Sequence, residues 1–152
     1  MTTNTARAAV KARIRTLIGH SPLGDRGVTV ATGQLPENPD RKQVILGDIV
    51  GTIAPANMKA GRKDRDDRFT IEVWLIAFVA GASTAAEADE LVDAMFSDFE
   101  DIFADDPTLG GTVSGLLHAY LDGPANGPNS RQTPTGWASF RSTTVSCYVR
   151  NT

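Results

Sequence analysis

RKDRDDRFTIEVWLIAFVAGASTAAEADELVDAMFSDFEDIF, residues 62–103, is the stretch of sequence that decides the fold. It begins with seven consecutive charged residues, 62–68, and continues as a strand pattern over 69–79. From Thr84 onward the pattern becomes that of an amphipathic helix. A strand followed by a helix of this kind predicts an α+β domain in which the helix packs on a sheet.

The predicted strand 69–79 has two different faces, because alternate side chains of a strand point to opposite sides of a sheet. One face is apolar and consists of Phe69, Ile71, Val73, Leu75 and Val79. The other begins with the polar residues Thr70 and Glu72 and ends with the apolar residues Trp74, Ile76 and Phe78. The apolar end of this second face needs cover from another element or another subunit, and of these we expect a subunit.

The helix pattern that follows has a recognisable start and a polar outer side. Thr84 and Glu87 have the spacing of a capping box, in which each side chain bonds a free backbone amide of the other residue. Apolar residues then recur at helical spacing as far as Phe103, and Pro107 follows the end of the pattern. Carboxylates make the outer face strongly acidic.

The remaining patterns predict a first helix over 5–17 and strands over 28–32, 43–53, 113–121 and 137–150. Stretches rich in glycine, proline or charge predict long loops over 55–68 and 123–136. This order of elements favours an α+β fold with a mostly antiparallel sheet of about five strands and two helices packed on one face. We expect residues 1–152 to form a single domain.

Composition narrows the classes of protein that fit. The chain has 152 residues, of which 41% are hydrophobic and 22% charged, which is typical of a globular domain. The net charge of −3 disfavours a general DNA-binding protein. No run approaches the ~18 apolar residues of a membrane helix, so we predict no membrane span and no signal peptide. The single cysteine, Cys147, fits synthesis in a reducing cytoplasm.

Candidate catalytic residues are few. His20 falls in a turn, and His118 and Cys147 fall on different predicted strands, so a nucleophilic pair requires that the fold bring them together. The carboxylates of the acidic helix spread around an outer face and predict a solvated surface rather than a metal site. The glycine-containing turns lack the strand, glycine loop and helix order that binds phosphate. We therefore predict a protein without enzymatic activity, cofactor or metal.

Two features, one on the strand and one on the loop before it, are candidates for a protein–protein interface. The basic residues of the loop are interrupted by Asp64, Asp66 and Asp67, which suits a complementary subunit better than a phosphate backbone. The loop is equally consistent with a solvated surface, and Trp74 is equally consistent with the core. The candidate interface residues are Lys59, Arg62, Lys63, Arg65, Arg68, Trp74, Ile76 and Phe78.

Three segments carry a family resemblance: VILGD at 44–48, TIEVW at 70–74 and AAEADELV at 85–92. Together with the charged loop, they resemble the tail terminator proteins of long-tailed, siphovirus-type bacteriophages and related small tail-completion proteins. The resemblance implies a homohexameric ring in the virion that caps the tail tube, stops its polymerisation and joins the head. The implied partners are the major tail tube protein and the head–tail connector protein, with DNA passing through the lumen. Synthesis would take place in the host bacterial cytoplasm.

Three alternatives remain open at this point. A head–tail connector or tail-completion protein on the portal side would share the same structural features. A small hydrolase would use His118 and Cys147. A nucleic-acid-binding module would work through Arg62, Lys63, Arg65 and Arg68, and its affinity would fall steeply with salt.

Overall fold

A single sheet forms the centre of the described part of the chain. The computed structural model describes residues 3–55, 65–81, 83–123 and 125–151. The strands are β1 (Thr29–Thr32), β2 (Gln43–Pro55), β3 (Arg65–Ala80), β4 (Leu116–Leu121), β5 (Asn126–Thr133) and β6 (Gly136–Asn151). The helices are α1 (Thr3–His20), α2 (Pro22–Asp25) and α3 (Ala85–Asp105), with a 3-10 turn at Leu109–Gly111.

The sheet follows the order β1-β2-β3-β6, and the outer edge of β6 is shared by β4 and β5. β1 pairs with β2 in parallel, and the other pairings are antiparallel. The prediction of an α+β fold with a mostly antiparallel sheet is therefore confirmed. The described residues form six strands, where the sequence predicted about five.

The core lies on the sheet face that carries the odd-numbered residues of β3. Phe69, Ile71 and Val73 belong to one cluster of buried side chains together with residues of α1 and α3. Helix α1 contributes Ala6, Val10, Ile14 and Ile18, and α3 contributes Val92, Met95, Phe99 and Phe103. We call this the helix face and the opposite side the helix-free face.

β3 begins four residues earlier than the pattern predicted, so residues 65–68 are strand rather than loop. β3 pairs with both β2 and β6 at this end, and the carboxylates of Asp66 and Asp67 find arginine partners within the chain. Asp67 is fully buried on the helix face, where Nη2 of Arg7 lies 2.7 Å from its carboxylate. The charged run is therefore partly an interior strand, because α1 supplies a counter-charge that local sequence cannot reveal.

The predicted loop 123–136 contains strand β5, so that prediction is wrong for most of its length. β6 is 16 residues long and β4 only 6, so half of the outer edge of β6 is left for another strand. β5 pairs with this free half through a tight connection to β6, with Thr133 opposite Gly136. The sequence of β5 is rich in glycine, proline and asparagine, and pairing outweighs its low strand propensity.

Helix α3 begins next to Thr84, as predicted, but the capping box is not formed. Thr84 occupies the N-cap position, and its side chain makes no capping hydrogen bond. The helix is held instead by its buried apolar side, and by Ser139 Oγ, which donates a 2.6 Å hydrogen bond to Asp89. Tertiary contacts therefore replace the local signal.

One end of the helix-free face is covered by the chain itself. Ile76 and Ile45 are 0% and 1% exposed there. The connection between β1 and β2 reaches β5, where Arg131 Nη2 donates a 2.8 Å hydrogen bond to the Glu37 carbonyl, and the Arg131 guanidinium lies 4.9 Å from the Phe140 ring centre. We call this region the covered end. For Ile76, our expectation of cover from another subunit is wrong, because its cover comes from its own chain.

Candidate interaction surface

The other end of the helix-free face is open. The strand registers place Val50 opposite Thr70, Thr70 opposite Ser146, and Ser146 opposite Tyr120, so these four residues form one row across β2, β3, β6 and β4. Val50 is 69% exposed and Tyr120 is 43% exposed. We call this row the central row. The central row and the rows on either side of it form the region that we call the open end.

Two shallow grooves lie side by side on the open end. The first has a volume of about 280 Å³ and is lined by Arg68, His118 and Tyr148 among others. The second has a volume of about 350 Å³ and is lined by Asp48 and Glu72 among others. Val50 and Thr70 line both grooves. The central row therefore separates a groove with a cation from a groove with two carboxylates.

The row on the basic side contains Thr52, Arg68, Tyr148 and His118, which are paired in register. The Arg68 guanidinium lies 3.9 Å from the centre of the Tyr148 ring, a stacked cation–π arrangement. The His118 ring lies 5.5 Å from the Tyr148 ring and 5.1 Å from the Tyr120 ring. Arg68 thus stands on an aromatic surface, and among the described residues no carboxylate forms a salt bridge with it.

A neighbouring ion pair joins Asp66 and Arg150 at this edge. Asp66 accepts hydrogen bonds from Arg150 Nε at 2.8 Å and from the Tyr148 hydroxyl at 2.6 Å. The hydrogen bond from Arg150, followed by that from Tyr148, lowers the pKa of the Asp66 carboxyl, and the same contact raises the pKa of Arg150. Arg68 makes a smaller contribution to the same lowering, so Asp66 lies close enough to offset part of the charge of Arg68.

The row on the other side of the centre is acidic. Glu72 lies opposite Thr144, and the backbone amide of Asp122 donates a 3.0 Å hydrogen bond to the Thr144 carbonyl. Asp48 lies in the irregular stretch of β2 between Leu46 and Ile49 and lines the same groove as Glu72. The Trp74 indole donates a 2.9 Å hydrogen bond to Glu72, which fixes the position of that carboxylate.

The residues of the hydrolase alternative do not form a catalytic pair. Cys147 is buried on the helix face opposite Phe69, whereas His118 lies on the helix-free face. Burial, with a smaller contribution from Asp67, raises the pKa of the Cys147 thiol to about 12. His118 Nδ1 is buried and has no hydrogen-bond partner among the described residues, so nothing orients this ring as a general base requires.

Metal-ligating side chains do not converge in the described residues, where no group of three or more His, Cys, Asp or Glu could hold an ion. The carboxylates of α3 take part in other contacts or point outward. Asp93 is paired with Arg141 at 2.7 Å and Asp98 with Arg26 at 2.8 Å. Of the helices in the described ranges, none is long and apolar enough to span a membrane.

The predicted interface residues occupy different positions. Lys59, Arg62 and Lys63 lie outside the described residues. Arg65 and Arg68 are exposed, and Arg68 lies on the open end. Trp74 and Phe78 are half-buried, and Ile76 is fully buried. Apart from Ile76, which its own chain covers, contact of these residues with another subunit stays a prediction.

Sequence reasoning missed Val50 and Tyr120, the most exposed apolar residues of the open end. The irregular stretch of β2 shifts the alternation of side chains after Leu46, which puts Val50 on the same face as Gln43 and Ile45. The glycine at position 47 was a signal for such a bulge. Alternation along the predicted strand 113–121 puts Tyr120 on the same side as His118, but it does not show that this side is exposed.

No protein-family model matches this chain, and no curated protein matches it.

Proposed function

We propose that this chain is a structural virion protein that forms a ring on the tail tube of a long-tailed bacteriophage. The ring ends polymerisation of the tube and provides the surface to which the head joins. The observation that carries the proposal is the open end: an exposed face of a well-packed sheet, with Val50 69% exposed, next to a complete core. The resemblance of segments 44–48, 70–74 and 85–92 to tail terminators gives this surface its specific role.

The residue types of the open end suit a protein partner. Tyrosine and arginine are enriched at the centres of protein interfaces, and Tyr120, Tyr148 and Arg68 lie together here. Within the described ranges, His118 and Cys147 do not form a catalytic pair at this surface, because the Cys147 thiol lies on the opposite face of the sheet. A surface that binds without reacting is what an assembly protein needs.

The two sides of the fold also suit a ring of identical subunits, in the homohexamer that the resemblance implies. A head-to-tail ring requires two different patches on each subunit. The helix-free face offers one, and the acidic outer side of α3 offers another, because Ala85–Asp105 contains eight Asp and Glu residues and no Lys or Arg. The major tail tube protein and the head–tail connector protein are the partners we propose above and below the ring. A net charge of −3 suits a lumen through which DNA slides.

The direct test is electron microscopy of particles assembled without this protein. We expect overlong tubes and tails without heads, and restoration of normal tails when the purified chain is added. Heads joined to tails of normal length in its absence would contradict the proposal. Binding of the purified chain to the portal side, and not to tube ends, would instead assign the connector or tail-completion role.

A further inference from the structure

We propose that the open end binds a second copy of this chain face to face, in a symmetric pair. The inference goes beyond the proposed ring, because it concerns the free chain and does not depend on a phage tail. Its basis is the arrangement of three parallel rows of side chains on the helix-free face. One outer row carries the cation Arg68, the other carries the carboxylates Glu72 and Asp122, and no residue of the central row is charged.

The central row provides the symmetry axis. Val50, Thr70, Ser146 and Tyr120 lie at one level across four strands. A twofold axis along this row, in the plane between two sheets, sets each of these residues against its own copy. Val50 then meets Val50 and Tyr120 meets Tyr120, so the two exposed apolar side chains of the row are buried together. Facing sheets pack about 10 Å apart with their strands within about 30° of each other.

The outer rows exchange places under the same rotation. Arg68 of one copy then faces Glu72 of the other, and His118 faces Asp122, because these residues lie one row to either side of the axis. Each contact occurs twice in a symmetric pair. The other possible axis runs parallel to the strands through the centre of the patch and sets β3 against β6 and β2 against β4. Arg68 would then face Tyr148 instead of a carboxylate, and Asp48 would face Asp122, which carries the same charge. Charge therefore selects the axis across the strands.

A second copy fits better than an unrelated partner because the surface is complementary to itself. An acidic partner would satisfy Arg68 but repel Glu72 and Asp48, and a basic partner would do the reverse. The Arg68 side chain is already set in place on Tyr148, and Glu72 is held by the Trp74 indole, so little side-chain ordering is required.

Area limits the strength of the pair. Four strands and three rows cover roughly 400 Å² of projected surface on each copy, from a strand spacing of about 4.8 Å and about 6.8 Å between rows. This places the contact among small, weak interfaces. The pair covers the face that the ring proposal assigns to neighbours, so the two assemblies exclude each other.

Charge reversal tests the pairing by sedimentation equilibrium of the 152-residue chain at protein concentrations up to about 1 mM. We expect the wild-type chain to reach a mass of two chains, and Arg68→Glu or Glu72→Arg alone to weaken association at least about a hundredfold, tenfold for each of two repulsive contacts. An equimolar mixture of these two variants, and the double variant, should pair again. Arg15→Glu and Asp25→Arg, which change exposed charges elsewhere, serve as matched controls with unchanged association.

Cross-linking gives a second measurement that does not depend on reversed charges. A Thr70→Cys variant treated with a short bismaleimide should yield covalent dimers, because the two positions meet at the axis, whereas Thr16→Cys on the exposed side of α1 should not. The native Cys147 is buried and does not interfere.

Three results would overturn the pair: a wild-type chain that stays monomeric at about 1 mM, association that ignores both reversals, or equal cross-linking at positions 70 and 16. Larger assemblies that form equally well in the charge-reversal variants would be consistent with the proposed ring and would show that it does not use this contact. Conversely, normal tails in the absence of the protein would remove the ring proposal and leave the pair untouched.

Discussion

The covered end and the open end of the helix-free face differ in whether the chain covers them. The difference is the reverse of what the alternation along β3 predicts. The sequence places Trp74, Ile76 and Phe78 at an apolar end that lacks cover, and Thr70 and Glu72 at a polar end that needs none. In the structure the apolar end is covered by the chain, with Ile76 fully buried, and the polar end remains open. Alternation thus identifies which residues share a face, but the element that covers that face is remote in sequence.

Physically, the difference comes from the connection between β1 and β2. Because these strands are parallel, the chain must return from the end of β1 to the start of β2 at the far end of the sheet. The return carries Glu37 to β5, where its carbonyl accepts the hydrogen bond from Arg131. It contains no regular element, so hydrophobic periodicity gives no sign that it packs on the sheet.

The largest expected difference is in thiol reactivity. Cys147 is buried, and its pKa is raised to about 12, whereas a cysteine in place of Thr70 would stand on the open end. At pH 8 we expect the Thr70→Cys thiol to react with a maleimide about a thousandfold faster, because the thiolate is the reactive form. Stopped-flow labelling of the native chain and of Thr70→Cys at the same pH measures the two rates, and equal rates would contradict the assigned faces.

Truncation of one side chain at each end compares the two regions directly. Ile76→Ala removes a fully buried side chain and should lower the free energy of unfolding by about 2–5 kcal/mol. Val50→Ala, at a position 69% exposed, should lower it by less than about 0.5 kcal/mol. Urea denaturation at low protein concentration provides both values. Similar losses at the two positions would show that the ends do not differ in cover.

Arg131 joins the return connection to the sheet at the covered end. Arg131→Ala removes the hydrogen bond to the Glu37 carbonyl and the contact of the guanidinium with the Phe140 ring, at a total cost of about 1 kcal/mol. Arg15→Ala, an exposed arginine on α1, is the matched control. The checks are the urea midpoint and hydrogen exchange of the 33–42 amides, which should quicken in Arg131→Ala alone.

The smallest expected effect is a pH dependence at the edge of the open end. The pKa of Asp66 is lowered by Arg150 and Tyr148, so its contribution to stability is complete above its ordinary pKa of 3.8 and is lost as the pH falls through the lower folded value. The difference in urea midpoint between wild type and Asp66→Asn should therefore shrink below about pH 4. A constant difference across this range would mean that the pairing does not stabilise the fold.

Local sequence predicted much of the sheet and little of the site. The alternation in β3 and the periodicity in α3 arise because a side chain faces the core at every second residue of the strand and about once per turn of the helix. Such regular patterns are visible in the local sequence. The strand character of residues 65–68 depends on Arg7 and Arg150, which lie far away in sequence. The open end depends on the irregular stretch of β2 and on the registers of four strands, and no single segment encodes these.

The position of β6 has a consequence for how the chain is made. This strand follows every other described element in sequence, yet it lies inside the sheet and pairs with β3 along 16 residues. During translation, β3 therefore presents an unpaired edge until β6 leaves the ribosome. An exposed edge is a template for pairing with other chains. The nascent polypeptide is most vulnerable to aggregation in that interval, and a chaperone that shields strand edges would act there.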